Sequence, residues 1–330
     1  MIKSLHLVFK FPVDYTIYGG KTNTIIEHKE LCETKGRLIW GQGSKRKNSA
    51  VSEKNRARIK KQIKNSNETY SFFLANNKGQ RELYVGKMIN IYDKGEIPDG
   101  SPLKDFIPRY YACNVGTPDD IDNGFVDVTT FFRIDTKHLD NITLESNGNK
   151  ILSVNNSSSV FLVNINKELE KLLIELLRNP EAKFQYEVEQ EDVPHVEIAD
   201  DQPKAKPSKT SINSLISYKR DSKTSKKAII LASYLCEIDA SHKDFISKVT
   251  KENYVEAHHL IPMEFQDNFA QSIDVEANIV SLCVGCHKKL HHAEYGVIKT
   301  LIEKLYDNRF GRLKDCNIGL TKEELLSYYK

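Results

Sequence analysis

The sequence predicts a two-part α+β protein: a β-rich N-terminal domain with helices, then a C-terminal domain built on a strand, loop, strand and helix. Three observations predict it. Short runs of β-branched and aromatic residues recur through residues 1–187, separated by Gly, Asn, Asp and Pro clusters. Residues 188–211 turn from acidic to basic and include three prolines, the composition of a flexible linker. Residues 212–330 then gather six of the ten histidines between His242 and His292, a clustering that neither a solvated surface nor an apolar core explains.

Bulk properties set limits on these parts. A chain of 330 residues is long enough for two domains. With 48 Lys and Arg against 45 Asp and Glu the net charge is +3, so affinity for nucleic acid must come from local patches. No stretch has the apolar length of a membrane span. Six cysteines, three of them in a metal-like pattern, fit a reducing cytoplasm better than a disulfide scaffold.

In the N-terminal domain, Leu5, Leu7, Phe9 and Phe11 alternate as in a strand and not as in a signal peptide. Further strands are expected at Arg37–Trp40, Tyr70–Ala75, Glu82–Tyr92, Val126–Ile134 and Ser159–Ile165. Helices are expected at Ser52–Lys64 and Lys167–Leu177, the second with a leucine stripe and a stop at Pro180. Together they suggest a curved sheet or partial barrel with helices packed on it. Gly41–Lys64 carries nine Lys or Arg against the single Glu53. Lys45, Arg46, Lys47, Arg56, Arg58, Lys60 and Lys61 in that run could neutralise phosphates in a salt-sensitive, sequence-blind way. A charge run is equally the makeup of a solvated face. Trp40, the one tryptophan, stands just before GQG and could stack on a flipped base, although filling a core is the commoner fate of such a residue.

The C-terminal domain opens with an apolar helix in KKAIILASYLC, leading to Cys236. Tyr254–Pro262 and Asn278–Cys283 suit strands, and the residues after Cys286 suit a helix. On that helix His287 and His291 are four apart and share a face. Two imidazoles one turn apart converge on a single cation, and His258 from the first strand can close the set. Neighbours on a strand point to opposite sides, so His259 is free of that set and available as a general base. Asn278 could orient the loop or His259. Glu256 could anchor His258 or an arginine, or simply be solvated. Cys283 and Cys286 have zinc-knuckle spacing and Cys236 is a third sulfur; His242 is the preferred fourth ligand, Asp239 the second choice and Cys316 a more distant one. A further stripe at Val297–Tyr306 and a capping box at Thr321 and Glu324 predict two packing helices, and Arg309 and Arg312 could reach a nucleic-acid backbone.

The series EAHH at Glu256–His259, then Asn278, then CxxCHxxxH at Cys283–His291 resembles the HNH, or ββα-metal, endonuclease family. Its ExHH start and the steps from Asn278 to His287 to His291 are similar to the nuclease colicins, and its cysteines to the zinc-containing HNH domains of restriction-type endonucleases. The resemblance covers about residues 212–330. It implies that His259 is the base, that His258, His287 and His291 hold a catalytic divalent ion, and that Asn278 is the motif's central asparagine. A second upstream cysteine frequent in such domains is replaced here by Asp239. The N-terminal domain is similar in architecture, without a diagnostic motif, to the PUA-like (EVE or ASCH) modules that precede HNH domains in modification-dependent restriction enzymes. The expectation is a cytoplasmic, metal-dependent DNA endonuclease of restriction or anti-phage type, with DNA, modified or not, as substrate. It would use Mg2+, with Mn2+ or Ni2+ as softer alternatives for three imidazoles, beside a structural Zn2+. One site makes one nick, so cutting both strands predicts a homodimer. The alternatives are a partner- or ligand-controlled, toxin-like nuclease, and a catalytically inactive nucleic-acid-binding zinc module.

Overall fold

Alternation makes the first strand, β1 (His6–Pro12), a core strand, with Leu7 and Phe9 buried on one side and Val8 on the other. The computed structural model describes residues 4–17, 20–43, 51–151, 159–194, 196–207, 209–212 and 215–330. They fall into two compact units, Met1–Glu175 with Thr210–Leu215, and Leu176–Lys209 with Ile216–Lys330. The architecture is mixed α+β.

After β1, unit 1 continues with a hairpin of β2 (Asp14–Ile17) and β3 (Gly20–Asn23), then α1 (Thr24–Lys35), β4 (Leu38–Gly43) and α2 (Glu53–Lys64). Next come β5 (Tyr70–Asn77), β6 (Gln80–Asp93), the single turn α3 (Arg109–Ala112), β7 (Asp122–Val128) and β8 (Phe132–Ile134). β9 (Ile142–Leu144), β10 (Val160–Ile165) and α4 (Lys167–Arg178) follow. One large sheet runs β4-β7-β6-β5-β1-β10-β9, with β8 also on β6. β1 and β5 are parallel and the other described pairings of this sheet are antiparallel. Phe9, Trp40, Phe73 and Phe131 pack together in its main core. The strand expected over Val126–Ile134 is interrupted, because both β7 and β8 pair with β6 and the chain must step between them. Gly86 permits that step: a Cβ there would come within 2.6 Å of the Thr130 carbonyl oxygen. Helix α1 was not expected; its side-chain cap, Asn23, and its left-handed Gly36 stop are both legible in hindsight.

Unit 2 begins its regular structure with α5 (Pro180–Gln190). Pro180, expected as a stop, serves also as the first residue of a new helix capped by Asn179. β11 (Lys209–Ile212) and β12 (Leu215–Tyr218) pair as a ribbon that includes residues 210–212 and 215 grouped with unit 1, and α6 (Ser222–Leu231) follows in unit 2. The helix expected to reach Cys236 ends earlier, where Ser233 and Tyr234 take left-handed φ of 53° and 55° and turn the chain. β13 (Glu256–His259) and β14 (Ile279–Leu282) form an antiparallel pair, with His258 opposite Val280 and His259 opposite Ile279. Then come α7 (Val284–His292), α8 (Tyr295–Asp315) and α9 (Lys322–Ser327), the last opened by the Thr321–Glu324 capping box. A core of Leu260, Ile273, Val280, Leu282, Ile302 and Leu305 lies beneath the pair and α8.

Two observations concern residues 176–211. The expected boundary at residue 187 lies inside α5, whose Gln185 side chain exchanges two hydrogen bonds with the Ala257 backbone and so closes the open edge of β13. The tether expected over 188–211 lies along unit 2 in its described part. Asp201 pairs with Arg312 at 2.6 Å, the Asp200 amide donates to Glu276, and the Lys204 carbonyl accepts from the Ser272 amide. Composition shows the charges of such a stretch but not the distant arginine that anchors it.

Candidate metal centres

Helix α7 carries residues of two clusters. Its N-cap is Cys283, whose Sγ accepts from the Cys286 amide at 3.4 Å, so the start of the helix already presents backbone N–H to sulfur. Cys236 arrives from the left-handed turn after α6, and His242 from a turn in which its amide donates to the Asp239 carbonyl. The ligand atoms of Cys236, His242, Cys283 and Cys286 all lie within 4.8 Å of one another. His242 Nδ1 is 3.6 Å from the sulfur of Cys283 and 3.5 Å from that of Cys286. Asp239 is instead engaged by Ser241, whose amide and hydroxyl both donate to its carboxylate. Cys316 lies buried in the apolar core, and its thiol is pushed up to about 11, chiefly by burial. Burial, then the neighbouring sulfurs, pushes Cys286 up to about 12, while backbone and His242 hydrogen bonds outweigh burial to lower Cys236. Three sulfurs with one imidazole are a donor set that could hold zinc, and binding it would release the thiol protons.

The next residue of α7, His287, belongs to the second cluster. The ligand atoms of His258, His287 and His291 lie within 4.8 Å of one another, and the Nε2 atoms of His287 and His291 are 3.2 Å apart. His258 and His287 are buried and His291 is exposed. Burial, then the other two imidazoles, holds the His258 pKa well below its ordinary value, so this ring stays neutral and able to donate a lone pair. Glu256 anchors neither His258 nor an arginine: its carboxylate accepts from His287 Nδ1 at 2.5 Å, leaving His287 Nε2 for the cluster. The C-terminal Tyr329 hydroxyl lies 3.1 Å from His258 Nε2 and donates to the Leu260 carbonyl. His292 is exposed and outside both clusters.

His259 points away from His258, as strand alternation requires, and its Nε2 lies 2.8 Å from Asp274 Oδ1. Both side chains are 5% exposed. The second oxygen of Asp274 accepts from the Asp221 amide, which fixes the carboxylate. Asp274 was missed because nothing at its own position marks it; only the loop brings it to His259. Asn278 is fully buried and serves the loop, not His259. Its Nδ2 donates to the carbonyls of Ile261 and Ile273, and its Oδ1 accepts from the Ile261 amide. Arg220 pairs with Glu181 at 2.7 Å and stacks on Phe184, 3.8 Å from the ring centre, close enough for the pair to act electrostatically on the imidazoles. Arg309 is buried on Glu237 and the Glu276 carbonyl, and half-buried Arg312 pairs with Asp201, so neither is the free backbone contact expected of it.

Among the described residues of unit 1, three of the four expected phosphate contacts are matched by acids of the same unit. Arg56 pairs with Asp93, Lys60 with Asp93 and Glu96, and Arg58 with Glu145. Those acids lie 33 or more residues away in sequence, beyond the reach of a local charge count. Lys61 is exposed. Lys45, Arg46 and Lys47 lie outside the described residues. Trp40 is a core residue, 9% exposed, with Phe9, Phe73 and Phe11 ring centres at 4.7, 5.6 and 6.1 Å.

Among the described residues, no helix is long and apolar enough to cross a membrane. No family model and no curated protein matches the chain. Among solved structures it is similar to the Type IV phosphorothioation-dependent restriction endonuclease ScoMcrA, with a TM-score of 0.28 and 10% identity over 85% of this chain and 46% of that one. The chain thus spans less than half the length of that enzyme, and a likeness this distant carries no argument about fold or activity.

Proposed function

We propose that unit 2 is an HNH-type, metal-dependent endonuclease that hydrolyses phosphodiester bonds in DNA. One observation carries the reading: β13, β14 and α7 bring His258, His287 and His291 to a common point while His259, one residue away, is turned out of that set and held by a buried carboxylate. A divalent ion held by the three imidazoles would supply Lewis-acid stabilisation of the charge developing on the phosphate and the leaving oxygen. Three nitrogens suit Mn2+ or Ni2+ better than Mg2+ on softness, and the open set leaves room for substrate oxygens. His259 would take the proton of the attacking water at Nδ1, since Nε2 is held by Asp274. Glu256 fixes the tautomer of His287, and Asn278 holds the loop that carries Asp274. The cluster of Cys236, His242, Cys283 and Cys286 would bind the structural zinc that secures the start of α7.

A restriction or anti-phage role, dependence on modified bases, pairing of two copies for a double-strand cut, and a cytoplasmic location belong to the same proposal. The test is plasmid cleavage with Mg2+ or Mn2+ by wild type, His259→Ala and His287→Ala, on unmodified and cytosine-modified DNA. Cutting by wild type that both variants lose supports the reading; equal cutting by all three sinks it. A second reading, an inactive nucleic-acid-binding zinc module, is favoured by the burial of His259, which is 6% exposed. Wild type that binds DNA without cutting it under either metal would select that reading.

A further inference from the structure

Glu256 holds His287 at Nδ1, which leaves that ring's lone pair on Nε2, the atom next to His291. His258 has no such acid. Its Nε2 lies 3.1 Å from the hydroxyl of Tyr329, 71 residues on and two past the end of α9. Packing fixes this tyrosine. Tyr329 rests on the core that buries Leu325 and Leu326, and its neighbour Tyr328 stacks on Phe265 with ring centres 3.9 Å apart. Burial holds the Tyr329 pKa well above its ordinary value, so the hydroxyl keeps its proton.

A hydroxyl has a single proton to give. That of Tyr329 goes to the Leu260 carbonyl at 2.7 Å, and the His259 carbonyl, 3.5 Å away, is likewise only an acceptor. Lone pairs are all that the oxygen has left for His258 Nε2, so Nε2 must donate. A histidine that binds a metal is neutral and carries one proton on one of its two ring nitrogens. With that proton on Nε2, the lone pair lies on Nδ1, which makes no hydrogen bond among the described residues. We infer that Tyr329 is a positioning residue: it fixes His258 as the Nε2–H tautomer, so that Nδ1 is the atom this histidine offers to a divalent ion. The role toward an ion rests on the three imidazoles forming the metal centre of the proposed nuclease, whereas the tautomer does not. Two ligands of one cluster are then oriented by different chemistry. The Glu256 carboxylate lends charge to His287, and the neutral hydroxyl orients His258 without doing so.

Two measurements on the full-length protein, loaded with equimolar Zn2+ for the cysteine cluster, test this. Imidazole nitrogen NMR of isotope-labelled histidine reads the tautomer, with His258 assigned by the signals that His258→Ala loses. Calorimetric titration with Ni2+ reads affinity at the imidazole cluster. The expected result is a protonated Nε2 and a bare Nδ1 on His258 in wild type. Tyr329→Phe, which keeps the ring and loses only the hydroxyl, should lose that single tautomer and bind Ni2+ about 10- to 100-fold more weakly. A tyrosine that merely held the chain in place would lower the melting temperature of the variant and leave tautomer and affinity unchanged, an outcome that overturns the inference. A protonated Nδ1 in wild type overturns it as well. If the variant does not fold, the wild-type spectrum still decides. Failure of wild type to bind Ni2+ at the imidazoles would overturn the role toward an ion. Binding that Tyr329→Phe weakens, in a protein that never cuts DNA, would sink the nuclease reading and leave this inference standing.

Discussion

Cys286 and His287 are consecutive on α7, yet they serve clusters of opposite design. The sulfur cluster offers four donors from three separate segments, the full tetrahedral complement of a structural zinc site. The imidazole cluster offers three, with His291 exposed at its edge, and so leaves coordination positions for something other than protein. A closed site can only hold structure, whereas an open one can also hold substrate. One helix start therefore carries a closed donor set, and its next turn carries an open one.

The comparison breaks most visibly at the closed site. Cys286→Ser should remove zinc and lower the melting temperature of unit 2 by more than about 10 °C, because structural zinc binding is itself folding free energy. Metal analysis beside a thermal melt checks it, and unchanged metal content would reduce the cluster to buried thiols. His287→Ala should do the reverse. Cleavage should fall by about 10^3-fold, from the loss of several kcal/mol of charge stabilisation, while the bound zinc is retained. If that variant instead loses zinc, the two clusters are one folding unit and the distinction fails.

Smaller changes sharpen the contrast. Glu256→Gln keeps shape but weakens the hold on His287, so affinity for the catalytic ion, measured by Mn2+ titration of activity, should drop about 10- to 100-fold. An effect on melting as large as that of Cys286→Ser would show Glu256 to be structural. Arg58→Ala sets the floor: its pair with Glu145 is exposed, and stability in urea should change by less than about 1 kcal/mol.

The residues of both clusters were legible in the sequence because each rests on local spacing. CxxC at a helix start, His287 and His291 one turn apart, and His258 beside His259 on a strand each dictate a direction from backbone periodicity alone. The preference for His242 over Asp239 likewise followed from donor chemistry, and the structure brings His242 into the group. Partners that depend on chain reversal were not legible. Glu256 could be placed on the strand face of His258, but only the position of α7 decided that it meets His287. Asp274, Glu181 and Tyr329 come from a loop, an unexpected helix and the last turn of the chain.

The N-terminal unit shows the same limit more strongly. Its main strands were legible from alternation, but pairing order and the break at Thr129–Phe131 were not, and helix α1 was passed over although its cap and stop stand in the sequence. The basic run was legible as charge, but Asp93, Glu96 and Glu145 that meet its side chains were not.

By itself the sequence determined which residues could bind metal, on which element each stands and which way it faces, since 3.6- and 2-residue periods are properties of the local backbone. Only the tertiary structure decided which acid each histidine meets, which cations remain unpaired, and that the Tyr329 hydroxyl reaches His258. Those contacts join segments tens of residues apart, and their geometry is set by packing that no local pattern encodes.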